Sequence, residues 1–226
     1  MSRITVLLVD DHTVVREGFR QLVEIDHDLL VVGEASDGRS AVEMAVKLRP
    51  DVVLMDIAMP RLNGLAATRQ LLKLQPAAKV LILSAHGDES YIKGAMEAGA
   101  KGYLLKQASM TEVSQAIRAV HQGKPFFSIN VPGSPAEATV RPSVRMRIHG
   151  PNKVELTSRE MEILQLVAEG LANKAMAIEL DIGIKTVEKH REHLMRKLGI
   201  HDTAGLTRYA ISAGIIESSV QVTTIE

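Results

Sequence analysis

Thr5-Val6-Leu7-Leu8-Val9-Asp10-Asp11 is a short apolar run that stops on two adjacent carboxylates. It is too short for a signal-peptide core or a membrane span. Its continuous apolar character fits a strand of a parallel sheet covered on both faces. Four more such runs follow, at 30–35, 52–55, 79–84 and 102–105. Between them the sequence predicts helices at 14–25, 38–48, 63–74, 90–98 and 110–122. The last carries Val113, Ala116, Ile117 and Val120 on one stripe, and Ser109 and Glu112 open it at capping-box spacing. Five βα units in order imply an α/β domain, doubly wound on a five-stranded parallel sheet.

In such a sheet, functional groups gather at the carboxyl ends of strands. Asp10 and Asp11 follow the first strand, Asp56 the third, Ser84 the fourth and Lys106 the fifth. An isolated Asp after a strand is most often a cap or turn residue, and an isolated Lys is a solvated one. The joint pattern at four strand ends is what points to a site. Three carboxylates brought together by neighbouring first and third strands repel one another unless a divalent cation sits among them, and all-oxygen ligands favour Mg²⁺ or Mn²⁺. A hydroxyl and an ammonium opposite that cation suit the oxygens of a phosphoryl group.

After Phe126-Phe127 the pattern breaks. Residues 128–151 hold prolines at 132, 135, 142 and 151 and show no amphipathic period, as a linker would. The expected division is therefore a first domain at 1–127, a linker at 128–151 and a second, all-helical domain at 152–226. The chain has no cysteine, which excludes disulfides and thiolate metal sites. Formal net charge is zero, and residues 152–226 carry 9 basic against 11 acidic side chains, so any nucleic-acid affinity there must come from a local patch.

Thr157 and Glu160 form a second capping-box pattern ahead of a helix through Val167, and Gly170 suits its end. A short helix at 173–180, a turn at 181–183 and a longer helix at Ile184–Leu198 have helix-turn-helix spacing. Ile184, Val187, Leu194 and Leu198 are expected to face inward. Lys185, Glu188, Lys189, Glu192 and Arg196 share the outer side, a pattern that a solvated face with i,i+4 pairs would also give. A last amphipathic helix is expected at 203–213, before a frayed tail from 218.

The set Val9-Asp10-Asp11-His12, Met55-Asp56-Ile57-Ala58-Met59-Pro60 with Gly64, Ser84-Ala85 and Lys106 resembles the signature of two-component receiver domains over roughly 3–125. Leu156-Thr157-Ser158-Arg159-Glu160, Asn173-Lys174, Lys185-Thr186-Val187-Glu188-Lys189-His190 and Lys197-Leu198-Gly199-Ile200 resemble the LuxR-type output domain of the NarL/FixJ family over roughly 153–216. The resemblance implies that Asp56 is the phosphoacceptor. It implies that Asp10, Asp11, Asp56 and the Ala58 carbonyl hold Mg²⁺, that Ser84 and Lys106 bind the phosphoryl group, and that Tyr103 is the switch aromatic. It makes Ile184–Leu198 the recognition helix, with Glu188, Lys189 and Glu192 reaching bases and Lys174, Lys185 and Arg196 contacting phosphates. The last helix becomes the dimer-forming element. Departures are Ser84 for the commoner Thr, Gln107 for Pro, Ala172 and Gly183 for Ser-type caps, Thr203 for a frequent Arg, and two acids among the base-reading positions.

The reading is a cytoplasmic transcriptional response regulator, switched by phosphorylation of Asp56 from a partner histidine kinase. It dimerises on activation, binds DNA, has RNA polymerase as a candidate partner and has no membrane association. The alternative is a receiver-like interaction module acting without phosphorylation. A phosphohydrolase with an aspartyl-phosphate intermediate, of the haloacid-dehalogenase kind, would place a second Asp two residues after the nucleophile; that position is Ala58. A ligand-binding quorum-sensing regulator is excluded by the receiver pattern. The protein is thus expected not to be an enzyme, beyond its own Mg²⁺-dependent phosphotransfer and dephosphorylation.

Overall fold

The apolar run that ends on Asp10 forms β1 (Ile4–Val9), the strand on which the first domain is organised. The computed structural model describes residues 3–87, 89–127, 156–213 and 215–216. The expected linker and the tail from 218 lie outside the described residues.

After β1 come α1 (Thr13–Ile25), β2 (Leu29–Ala35), α2 (Gly38–Leu48), β3 (Val52–Asp56) and α3 (Gly64–Leu74). They are followed by β4 (Val80–Ser84), α4 (Glu89–Ala98), β5 (Gly102–Leu105), α5 (Met110–His121) and β6 (Phe126–Phe127). All pairings are parallel, in the order β2-β1-β3-β4-β5-β6. The sheet therefore has six strands rather than the expected five. Phe126 and Phe127 pair with Gly102 and Tyr103, and two residues are too few to show a strand period in sequence.

Alternate residues of each strand feed two cores. Leu7, Val9, Val53, Met55 and Ile82 pack on the face covered by α2, α3 and α4. Val6, Leu8, Leu54, Leu81 and Leu104 pack on the face covered by α1 and α5. Burial of each such Leu is worth about 1.5–3 kcal/mol, and burial on both faces explains why the strands read as unbroken apolar runs. The expected capping box at Ser109 and Glu112 is present on α5.

The second domain holds α6 (Ser158–Ala168), α7 (Asn173–Glu179), α8 (Ile184–Leu198) and α9 (Thr203–Ser212). The Thr157 and Glu160 capping box opens α6. Ala172 and Gly183, at the starts of α7 and α8, supply no side-chain cap bond, as their chemistry requires. Ile163, Leu164, Val167, Met176, Val187, Leu194, Leu206 and Ala210 form the core. Val187 and Leu194 face inward as expected. Ile184 is 44% exposed; it stands in the first turn of α8, beyond the reach of that core.

Candidate functional site

The order reversal about β1 puts β3 beside it, with Val9 level with Met55. The carboxyl ends of the two strands thus bring Asp10, Asp11 and Asp56 into one pocket, at the crevice where open α/β sheets place their sites. Ligand atoms of Asp10, Asp11, His12 and Asp56 all lie within 4.8 Å of one another. Asp56 is fully buried and Asp10 nearly so. Lys106 Nζ sits 2.9 Å from both Asp10 Oδ2 and Asp56 Oδ2. Burial pushes the Asp56 carboxyl up, Lys106 pulls it down and Asp10 pushes it up again, leaving it at about 7. Burial works to lower the Lys106 pKa, but Asp56 and Asp10 outweigh it, so the ammonium is held above its usual value.

Asp56 Oδ1 is buried with no hydrogen-bond partner among the described residues. Asp10 Oδ2 has no such partner either, only the Lys106 ion pair. Orphaned buried carboxylate oxygens are costly, and a hard cation bound by oxygens would satisfy them, so the residues fit Mg²⁺. Gly64 closes the floor of this region. Its N–H donates to the Ile57 carbonyl at 2.9 Å, and a Cβ there would come within 1.9 Å of the Asp56 carbonyl oxygen.

Ser84 and Tyr103 meet at one backbone unit. Ser84 is buried, and its Oγ accepts from the His86 N–H at 3.1 Å. Tyr103 is fully buried, and its hydroxyl donates to the His86 carbonyl. The His86 ring stacks on Tyr91 with centroids 4.8 Å apart. No sequence signal singled out His86, because it acts through its main chain.

On α8, Lys185, Glu188, Lys189, Glu192 and Arg196 are all exposed, as is Lys174 on α7. The other two basic residues of α8 are engaged within the domain. Arg191 donates to Asn173 Oδ1 at 2.7 Å, and Lys197 donates to Glu160 Oε2 at 2.7 Å. The outward set named from sequence is exposed throughout, together with Ile184, Thr186 and His193.

A contact between the two domains was not legible in sequence. Gln165 of α6 is 1% exposed and Asn63 is 2% exposed. The Asn63 N–H donates to Gln165 Oε1 at 2.9 Å, Gln165 Nε2 donates to the Met59 carbonyl at 2.9 Å, and Asn63 Nδ2 donates to the Ile215 carbonyl at 3.0 Å. Gln70 Nε2 donates to Glu162 Oε1 at 2.6 Å, and Glu179 of α7 lies 3.8 Å from both Arg39 and Arg61. The β3–α3 loop, which begins at the residue after Asp56, thus meets the output domain together with Gln70 of α3 and Arg39 of α2.

Comparison with known proteins gives two successive matches. Residues 6–118 match the response regulator receiver domain, and residues 154–210 match the bacterial regulatory proteins of the luxR family. The chain belongs to the LuxR-type response regulators. It is a transcriptional regulator built from a receiver and a DNA-binding domain, and the family is not one of enzymes. This response regulator is 40% identical over 210 residues to the transcriptional regulatory protein LiaR of Bacillus subtilis, covering 92% of this chain and 96% of that one. It is 37% identical over 215 residues to the oxygen regulatory protein NreC of Staphylococcus aureus, covering 94% and 99%. Its fold is similar to that of the response regulator RcsB in a complex with DNA, at 25% identity and a TM-score of 0.54, covering 94% and 99%. Receiver domains of this family generally bind Mg²⁺ at an acidic site, and the regulator has such an acidic cluster. No helix among the described residues is long and apolar enough to cross a membrane.

Proposed function

We propose that Asp56 is the phosphoacceptor of this response regulator and that its phosphorylation by a histidine kinase switches a dimer onto DNA. The observation that carries the reading is the buried Asp56 carboxylate, paired with Lys106 and set beside Asp10 and Asp11. The proposed division remains a receiver at 1–127, a linker at 128–151 and an output domain at 152–226.

Asp10, Asp11, Asp56 and the Ala58 carbonyl would hold Mg²⁺. When bound, Mg²⁺ offsets the repulsion among the carboxylates and the charge on the incoming phosphoryl oxygens. An Asp56 carboxylate oxygen attacks phosphorus. The bond from phosphorus to the kinase histidine nitrogen breaks, the imidazole leaves, and an acyl phosphate forms on Asp56. Lys106, already 2.9 Å from Asp56, pairs with the new phosphoryl oxygens. Ser84 gives up its bond from the His86 N–H to donate to the phosphoryl group, and Tyr103 follows because its hydroxyl holds the same residue. Water later attacks phosphorus, releasing phosphate and restoring the carboxylate.

The outer face of α8 is exposed while the domains are docked. That favours assembly of two output domains over uncovering of a hidden recognition helix as the main effect of phosphorylation. A dimer raises effective concentration and reads two half-sites, which matters for an output domain without excess positive charge. Glu188, Lys189 and Glu192 would read bases, while Lys174, Lys185 and Arg196 would contact phosphates. RNA polymerase is the further partner this role calls for, and the cytoplasm is where it would act. Mass spectrometry after incubation with Mg²⁺ and acetyl phosphate tests the site: one phosphoryl group on Asp56 is expected, and uptake at another residue would overturn the assignment.

A further inference from the structure

His12 is the N-cap residue of α1, where Ser, Thr, Asp or Asn would accept a bond from a helix N–H. The His12 side chain makes no such bond. It is directed to the acidic pocket instead: Nδ1 lies 2.8 Å from Asp11 Oδ1 and 3.4 Å from Asp10 Oδ1. The His12 backbone N–H donates to Asp10 Oδ1 at 2.8 Å, which ties the imidazole-bearing residue to the pocket. Its ligand atom falls within the same 4.8 Å span as those of the three acids. As a surface ion pair this contact would be worth little, because the His12 side chain is 66% exposed. The independent sign of a missing ligand is Asp56, fully buried with Oδ1 unpartnered.

We propose that His12 is a nitrogen donor to a divalent cation in this pocket, biasing the site towards first-row transition ions over Mg²⁺. The inference rests on the acidic pocket being a metal site, as in the proposed function. Mg²⁺ takes oxygen ligands and keeps its waters, so an imidazole adds nothing to its binding. Imidazole suits Zn²⁺, Ni²⁺ and their neighbours, whose affinities rise along the Irving–Williams order. Ligation through Nδ1 needs the ring proton on Nε2, and the exposure of the ring leaves Nε2 free to face water.

The test uses the full, metal-stripped chain without phosphodonor, titrated calorimetrically with Mg²⁺ alone and with Ni²⁺ alone. His12→Asn places a capping side chain at the start of α1, so the helix is not weakened. It is expected to lower Ni²⁺ affinity by about tenfold or more and Mg²⁺ affinity by less than about threefold. Pulsed EPR of the Mn²⁺-loaded parent should show ¹⁴N coupling from a bound imidazole, absent in His12→Asn. Equal effects on both ions, or ¹⁴N coupling that persists in the variant, would overturn the role of His12. Asp56→Asn separates the two levels of the argument: if it leaves both affinities unchanged, the pocket is not the metal site at all, and the inference falls with it.

Discussion

Gln165 of the output domain donates from Nε2 to the Met59 carbonyl of the receiver, one residue beyond Ala58 and three beyond Asp56. The same side chain accepts from the Asn63 N–H through Oε1. One buried amide thus bonds two main-chain groups of the loop that leaves the acidic pocket, and docking of the output domain is linked to the geometry of that loop.

Gln165→Ala removes both bonds and leaves a buried carbonyl and N–H unpaired. The docked arrangement should lose about 1–3 kcal/mol. Small-angle scattering should then report a larger radius of gyration for the unphosphorylated variant. Because Gln165 bonds the loop that follows Asp56, its loss should also change the rate of phosphate uptake from acetyl phosphate. An unchanged scattering profile together with an unchanged rate would mean that the contact does not hold the domains.

Asp56 titrates near 7 in the folded, metal-free protein, against about 4 for an ordinary carboxyl. Its folded-state pKa is raised, so its contribution to stability is fully present below the ordinary value and is lost as pH rises through about 7. Thermal unfolding in chelator should show stability falling between about pH 4 and pH 7, and Mg²⁺ should restore it above pH 7. Asp56→Asn should flatten this dependence. A parent as flat as the variant would contradict the burial of an ionisable Asp56.

Glu160 is 3% exposed and receives the Thr157 N–H at 2.8 Å and Lys197 Nζ at 2.7 Å, with His193 Nδ1 at 3.3 Å. It joins the start of α6 to the end of α8. Glu160→Ala should destabilise the output domain by about 1–3 kcal/mol, through the lost cap and the lost charge-assisted bond. Chemical denaturation followed by circular dichroism measures it. Freed from Glu160, Lys197 should raise affinity for random DNA at low salt.

How legible this site was depended on where its residues stand. Asp10, Asp11, Asp56, Ser84 and Lys106 sit at strand ends, so a count of βα units locates them before any distance is known. Gln165 and Asn63 gave no such signal. Gln165 lies among the apolar residues of α6, where a solvated face would be the default reading, and Asn63 serves as the N-cap of α3 as well as a docking residue. Both contacts depend on an arrangement of domains across residues 128–151 that no local pattern encodes. The pairing of β6 and the exposure of Ile184 were missed for a related reason: two residues show no period, and a first-turn residue can leave the stripe.

On α8, Lys189→Ala should cost about 1–3 kcal/mol on specific DNA and relax sequence preference, as loss of a base contact does. Lys185→Ala should weaken binding to every sequence and lower the salt slope by about one unit. Glu192→Ala should raise affinity for random duplexes by removing a charge that repels phosphate. A salt series on specific and random duplexes separates the three. If all three variants bind like the parent, Ile184–Leu198 does not read DNA.

The central claim is that phosphorylation of Asp56 controls DNA binding. The direct measurement is the affinity of the full chain for its specific duplex, with Mg²⁺, before and after treatment with acetyl phosphate, in the parent and in Asp56→Asn. The account predicts an increase of about tenfold or more for the parent, the size expected of effective concentration in a dimer, and no change for Asp56→Asn. An equal response in both proteins, or none in a parent shown by mass to be phosphorylated, would contradict it.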